Sequence, residues 1–232
     1  MQRDGRFHTS IAVAALCLVI GDAEVRVSGQ GTPQHADSAR QVNAEELRKS
    51  RGLHAAALAS EKKHYVGIEM IEIDIVAEDL DSVSAAADVV VRGTVGPNLT
   101  RIAQDENGKE TVVLDYRFDV HEVFRGSPAL RTDDLTLTIP GGRFEFADGS
   151  SVEILTPGFR KPGPGEEYVL FLSKDETYGN YKLAFGTQSL FWLHEDGSVE
   201  AQGASDYPTG QGTLRDGRRA FLDRVAQAVR EK

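Results

Sequence analysis

The twelve residues from Val112 to Val123, VVLDYRFDVHEV, decide the fold class. Val112, Leu114, Tyr116, Phe118 and Val120 share one parity, and Asp115, Arg117, Asp119 and His121 share the other. Side chains of an extended chain alternate between two faces, so this pattern predicts a half-buried strand. The alternation then slips, with Glu122 on the apolar parity and Val123 on the polar one. A one-residue slip inside a long strand predicts a β-bulge. Bulges let a sheet bend sharply, as a small barrel requires.

The flanking segments extend the same reading. Before the strand, DENGKE (105–110) places Asn107-Gly108 in a hairpin turn. Further upstream, DVVVRGTV (88–95) is a strand with a continuous apolar centre, as expected where both faces are covered. AEDLDSVSAAA (77–87) predicts a short helix, and Ile71, Ile73 and Ile75 alternate with Glu72 and Asp74 as a half-buried strand. Downstream, LTLTI (135–139), RFEF (143–146), SVEIL (151–155), EYVLFLS (167–173), YKLAF (181–185) and LFWLHEDGSVE (190–200) supply further strands. Seven or eight short strands joined by turns, with helices near the ends, predict a mainly β fold. The expected form is a small OB-like antiparallel barrel covering residues 64–204.

Prolines and glycines cluster between Pro140 and Gly165, and turns explain them. Pro140 ends a strand because it cannot donate a ladder hydrogen bond. Gly141-Gly142 permits positive φ, Asp148-Gly149 reads as a hairpin turn, and KPGPGEE (161–167) is a stiff turn into the next strand. A phosphate-cradling loop would carry a different glycine spacing and lead into a helix.

The ends are less regular. Leu214, Phe221, Leu222, Val225 and Val229 fall near helical spacing, which predicts an amphipathic helix within 205–232. NAEELRKSRGLHAAALASEKK (43–63) predicts a helix interrupted at Gly52, with Asn43 and Glu46 spaced as a capping box. Residues 24–63 as a whole read as a flexible spacer, partly helical. At the N-terminus, Arg3 and Arg6 precede the apolar run IAVAALCLVI (11–20) and a small-x-small exit at Gly21-Asp22-Ala23. That layout predicts a secretory signal over residues 1–23. Its apolar run is short of the roughly 20 residues that a spanning helix needs. The expected location is extracytoplasmic, periplasmic or secreted. Cys17, the single cysteine, lacks the neighbours of a lipid-attachment motif, and its removal with the signal would leave no disulfide, thiolate ligand or cysteine nucleophile.

Composition bears on partners. The net charge is −10, which repels phosphate backbones and argues against nucleic acid as a partner. The six histidines, at 8, 35, 54, 64, 121 and 194, show no metal-ligand spacing. No G-x-S-x-G nucleophile elbow occurs. No cofactor or metal is expected. His121-Glu122 and His194-Glu195-Asp196 are His–carboxylate neighbours, but adjacent strand residues face opposite ways, so they read as rim groups. Trp192 reads as core or barrel cap.

The ordered segments SAAADVVVRGTV, YRFDVHEVFRG, LTLTIPGG, PGFRKPGPGEEYVLFLS and YKLAFGTQSLFWLHEDGSV resemble a group of bacterial exported proteins, over roughly residues 84–199. The same order of parts is similar to the netrin-like, tissue-inhibitor-of-metalloproteinase-like version of the OB barrel. That resemblance implies a closed barrel and a secreted inhibitor. Those inhibitors use disulfides and a metal-chelating N-terminal cysteine, which this chain lacks.

The functional expectation is an exported, non-enzymatic domain that binds a protein or other envelope partner. Arg143, Phe159 and Arg160, on or beside long connections at one barrel end, are the expected binding residues. Replacing them is expected to leave the fold intact. Two alternatives stand: a hydrolase whose carboxylates converge from distant positions, and a protease-inhibitor-like module.

Overall fold

The structure is a computed structural model and describes residues 34–69, 79–131, 135–157, 159–202 and 217–230. The expected signal, Cys17 and the strand at Ile71–Ile75 lie outside the described residues. The fold is mainly β, with ten strands and four α-helices among the described residues.

The deciding stretch lies in β3, Glu110–Arg125, where Val112, Leu114, Tyr116, Phe118 and Val120 are all buried. Its partner β2, Val89–Gln104, runs antiparallel through a tight turn. In that turn the Asp105 carboxylate accepts from the Asn107 and Lys109 amides, both at 2.9 Å, and Gly108 takes φ 74°. This local carboxylate–amide pairing is what makes aspartate a turn residue. The expected bulge is present: Arg92 pairs with Glu122 and Gly93 with Val120, leaving His121 unpaired between them. Gly93 is required there, since a Cβ would lie 2.6 Å from the Asp119 carbonyl oxygen.

The remaining strands are β4 (Leu135–Pro140), β5 (Gly142–Glu145), β6 (Ser151–Leu155), β7 (Glu167–Lys174), β8 (Tyr181–Thr187), β9 (Leu190–Leu193) and β10 (Val199–Ala201). The larger sheet has the order β10-β9-β7-β2-β3-β4-β8, and β8 also pairs with β7. One edge of β7 carries β2, and the other carries β9 along Glu167–Leu170 and β8 along Leu172–Lys174. β4 meets β8 in parallel at Leu137 and Tyr181. A smaller sheet has β1 (His64–Ile68) parallel to β6 and β5 antiparallel to it. The Asp148-Gly149 turn expected between β5 and β6 is present, with Gly149 at φ 79°.

Three apolar clusters hold these layers together. The first lies on one face of the larger sheet, around Tyr116, Leu135, Leu137, Tyr168 and Leu170. The second lies on its opposite face, where Val90, Val169, Phe171 and Phe191 meet two helices, α3 (Leu80–Ala86) and α4 (Gly217–Arg230). Phe221 and Val225 are the fully buried anchors of α4, each worth about 1.5–3 kcal/mol of burial. Asp79 caps α3 by accepting from the Ser82 amide at 2.8 Å. Arg125 closes the other ends of both helices. Its guanidinium donates to the carbonyls of Ser84, of Ala87 at 3.1 Å and of Val229 at 3.2 Å. Helix-end carbonyls are left short of intrahelical donors, which is what such a guanidinium supplies.

The third cluster corrects the N-terminal reading. Helix α1 already begins within the expected spacer, at Gln34, and runs to Arg51, so Asn43 is mid-helix and not a cap. Helix α2, Leu53–Ala59, buries Leu53, Ala56 and Ala57 completely against Val152 and Ile154. Alanine's small side chain lets a helix lie close to a sheet, so a thin apolar face suffices. At the break, Gly52 has φ 85°, and the Leu53 amide donates to the Glu110 carboxylate at 2.7 Å. No helix among the described residues is long and apolar enough to cross a membrane.

Candidate functional site

The connection from β6 to β7 carries two of the three expected binding residues. Phe159 is half-buried against the cluster that contains Tyr168 and Leu170. Arg160 is fully engaged. One of its terminal nitrogens donates to the Tyr168 hydroxyl at 2.7 Å and to Glu166 Oε2 at 3.1 Å, and the other donates to Glu166 Oε1. Its guanidinium lies 3.8 Å from the Trp192 ring centroid, a cation–π distance. Glu166 accepts further from the Gly163 amide at 2.6 Å and the Tyr168 hydroxyl at 2.7 Å. Arg160 is therefore a partnered side chain and not a solvated one. This arginine ties the connection to β7 and β9.

Trp192 lies between this cation and a histidine. The His194 ring is 3.7 Å from it, and His194 Nε2 is 3.1 Å from Glu200. Trp192 is only partly buried and packs on the same apolar cluster as Phe159, which agrees with a capping role. Arg143 stands apart from this group. It lies on β5 of the smaller sheet, largely exposed, with Glu145 at 3.1 Å. It stands on the strand expected over 143–146.

Electrostatics follow from these contacts. Partial burial works against ionising Glu166. The Arg160 guanidinium, the Gly163 amide and the Tyr168 hydroxyl outweigh it and hold its pKa at about 2, down from 4.5. Burial, then Glu166, push the Tyr168 phenol up. A depressed carboxylate stabilises the fold above its unfolded pKa and loses that contribution as pH falls toward its folded value. Glu166→Gln is expected to lower the urea midpoint at pH 7, and the gap to wild type should narrow progressively below about pH 4.5. A gap that stays constant down to pH 3 would show that Glu166 charge does not hold the connection.

A second polar group was misread from the sequence. His121 and Glu122 are neighbours in sequence, yet both reach the same cluster. Glu122 lies 3.6 Å from Arg92, Arg92 lies 3.5 Å from Glu167, and His121 Nδ1 lies 3.6 Å from Glu167. The bulge breaks the opposite-face rule here. Its only signal in the sequence is the parity slip at Glu122. Among the described residues no group of three or more histidines, cysteines, aspartates and glutamates is arranged to hold a metal. No family model and no curated protein matches the chain.

Proposed function

We propose that the chain is an exported domain that binds a protein or other envelope partner, built on a closed OB-type, netrin-like barrel of β7, β2, β3, β4 and β8. The succession of neighbours from β7 through β2, β3 and β4 to β8 and back to β7 supports the barrel, as does the parallel β4–β8 contact. The observation that carries the binding reading is the group of Phe159, Arg160, Trp192 and His194 beside one end of these strands. Interfaces concentrate tryptophan, tyrosine and arginine in ordered settings, and Arg160 and Trp192 are held in place before any partner arrives.

The carboxylate-pair hydrolase is less well supported. Glu45 and Glu69 converge, but on the buried Arg48, at 3.9 and 3.8 Å. Each carboxylate there faces the guanidinium and not the other carboxylate, so the arrangement is an ion-pair bridge and not a facing acid–base pair.

The test is site-specific photo-crosslinking in the native host, with the reactive residue placed at Phe159, Arg143 or the exposed hairpin position Glu106. One partner is expected from the Phe159 position in an extracytoplasmic fraction, on a chain whose intact mass corresponds to a start at Glu24. Equal crosslinking from Glu106, or none from Phe159, would sink the binding surface. A full-length cytoplasmic species would sink the export reading.

A further inference from the structure

Four histidines face a carboxylate: His54 with Asp148, His64 with Glu153, His121 with Glu167 and His194 with Glu200. Two of them also touch a hydroxyl. His64 Nδ1 lies 2.8 Å from Ser151 Oγ, and His121 Nε2 lies 3.3 Å from Thr94 Oγ1. Ser151 is 5 % exposed and shut off from any substrate. Thr94 is partly exposed beside an exposed imidazole. The two arrangements share their chemistry and differ in access.

We propose that Thr94, His121 and Glu167 form a nucleophile–base–carboxylate relay that transfers acyl groups from carboxylic esters reaching this face of the sheet. Three strands build it, and their register places it. Thr94 on β2 pairs with Glu167 on β7 and with Asp119 on β3, and His121 is the extra residue of the β3 bulge. Bulges re-aim side chains, and this one turns the imidazole between the hydroxyl and the carboxylate. Glu167 is divided between its partners. Arg218 Nη2 holds Oε2 at 2.6 Å, and Oε1 is left to His121 at 3.6 Å and Arg92 at 3.5 Å. A carboxylate at Nδ1 favours the tautomer with its proton there, which leaves Nε2 to accept from the Thr94 hydroxyl. Nucleophile–base distances of this length are common before substrate binds.

The chemistry balances without a further reagent. Thr94 Oγ1 attacks the ester carbonyl carbon while His121 Nε2 takes the hydroxyl proton. The bond to the leaving oxygen breaks, and that oxygen receives the proton as the alcohol departs. Water then attacks the acyl-threonine with His121 again as base, releasing the carboxylic acid and restoring the hydroxyl. Glu167 and Arg218 are positioning residues in this scheme.

The test uses the full chain with 4-nitrophenyl acetate, following nitrophenolate release and mapping the acetylated peptide. A burst is expected, with the acetyl group on Thr94. Thr94→Ala should abolish it, while Thr94→Ser, which keeps the hydroxyl, should retain it. His121→Ala should slow acylation about 100-fold, in line with the usual contribution of a general base. His64→Ala should change nothing. Acetylation confined to lysines, a burst that survives Thr94→Ala, or an equal loss from His64→Ala would overturn the proposal. Thr94→Ser guards against misfolding as the cause of a loss. Crosslinking near Trp192 and acylation at Thr94 succeed or fail independently, so neither result decides the other.

Discussion

Phe171→Ala should destabilise the protein by about 3–5 kcal/mol. Phe171 is completely buried on the helix-covered face of β7. Its ring meets Phe191 edge-on at 5.7 Å, and Phe191 lies 5.0 Å from Phe221 of α4. Removing the ring takes away the contact that links sheet to helix, and the strand backbone cannot collapse into the gap because β2, β8 and β9 hold it on both sides. Whole domains are stable by only about 5–15 kcal/mol, so this one change should remove a large fraction of the stability and lower the urea midpoint in proportion. A loss below about 1 kcal/mol would mean that α3 and α4 do not close over this face.

Gly93→Ala is the second large effect, expected at roughly 2–3 kcal/mol. The added methyl would sit 2.6 Å from the Asp119 carbonyl oxygen. That atom is backbone in a paired strand and cannot rotate away, unlike the end of a flexible side chain. The strain falls at the bulge, so the displaced residue would be His121. The substitution should therefore lower stability and the acylation burst together, whereas Gly149→Ala, at an open turn with nothing near its Cβ, should leave the burst unchanged. A Gly93→Ala protein with an unaltered melting curve would show that β2 and β3 lie further apart at this point.

Periodicity made the strands legible. β3 could be read directly because five alternating apolar residues have no helical explanation, and even its bulge appeared as the slip at Glu122. The capping box at Asn43 was misleading because it scores a local hydrogen bond, while α1 is longer than that signal. Alanine is a weak hydrophobe by any scale, so the burial of Ala56 and Ala57 could not be inferred before their sheet was known. The parallel pairing of β1 with β6 depends on a meeting between distant segments that leaves no local mark. Arg160 looked like a free loop cation because its ring partner, Trp192, is contributed by another strand. Thr94, His121 and Glu167 come together through the register of three strands, and register is a property of pairing that no single segment carries.

The sharing of β7 among three strands has a kinetic consequence. The β2–β3 pair closes through a turn of a few residues, which costs little chain entropy and can form early. β7 must find β2 across everything from β3 to β6, a non-local closure of the kind that slows folding. Until it arrives, β2 and β9 both present unpaired edges, and such edges are where chains stick to one another. The charge of −10 then gains a second use: mutual repulsion keeps half-assembled molecules apart during the interval in which their central strand is still missing.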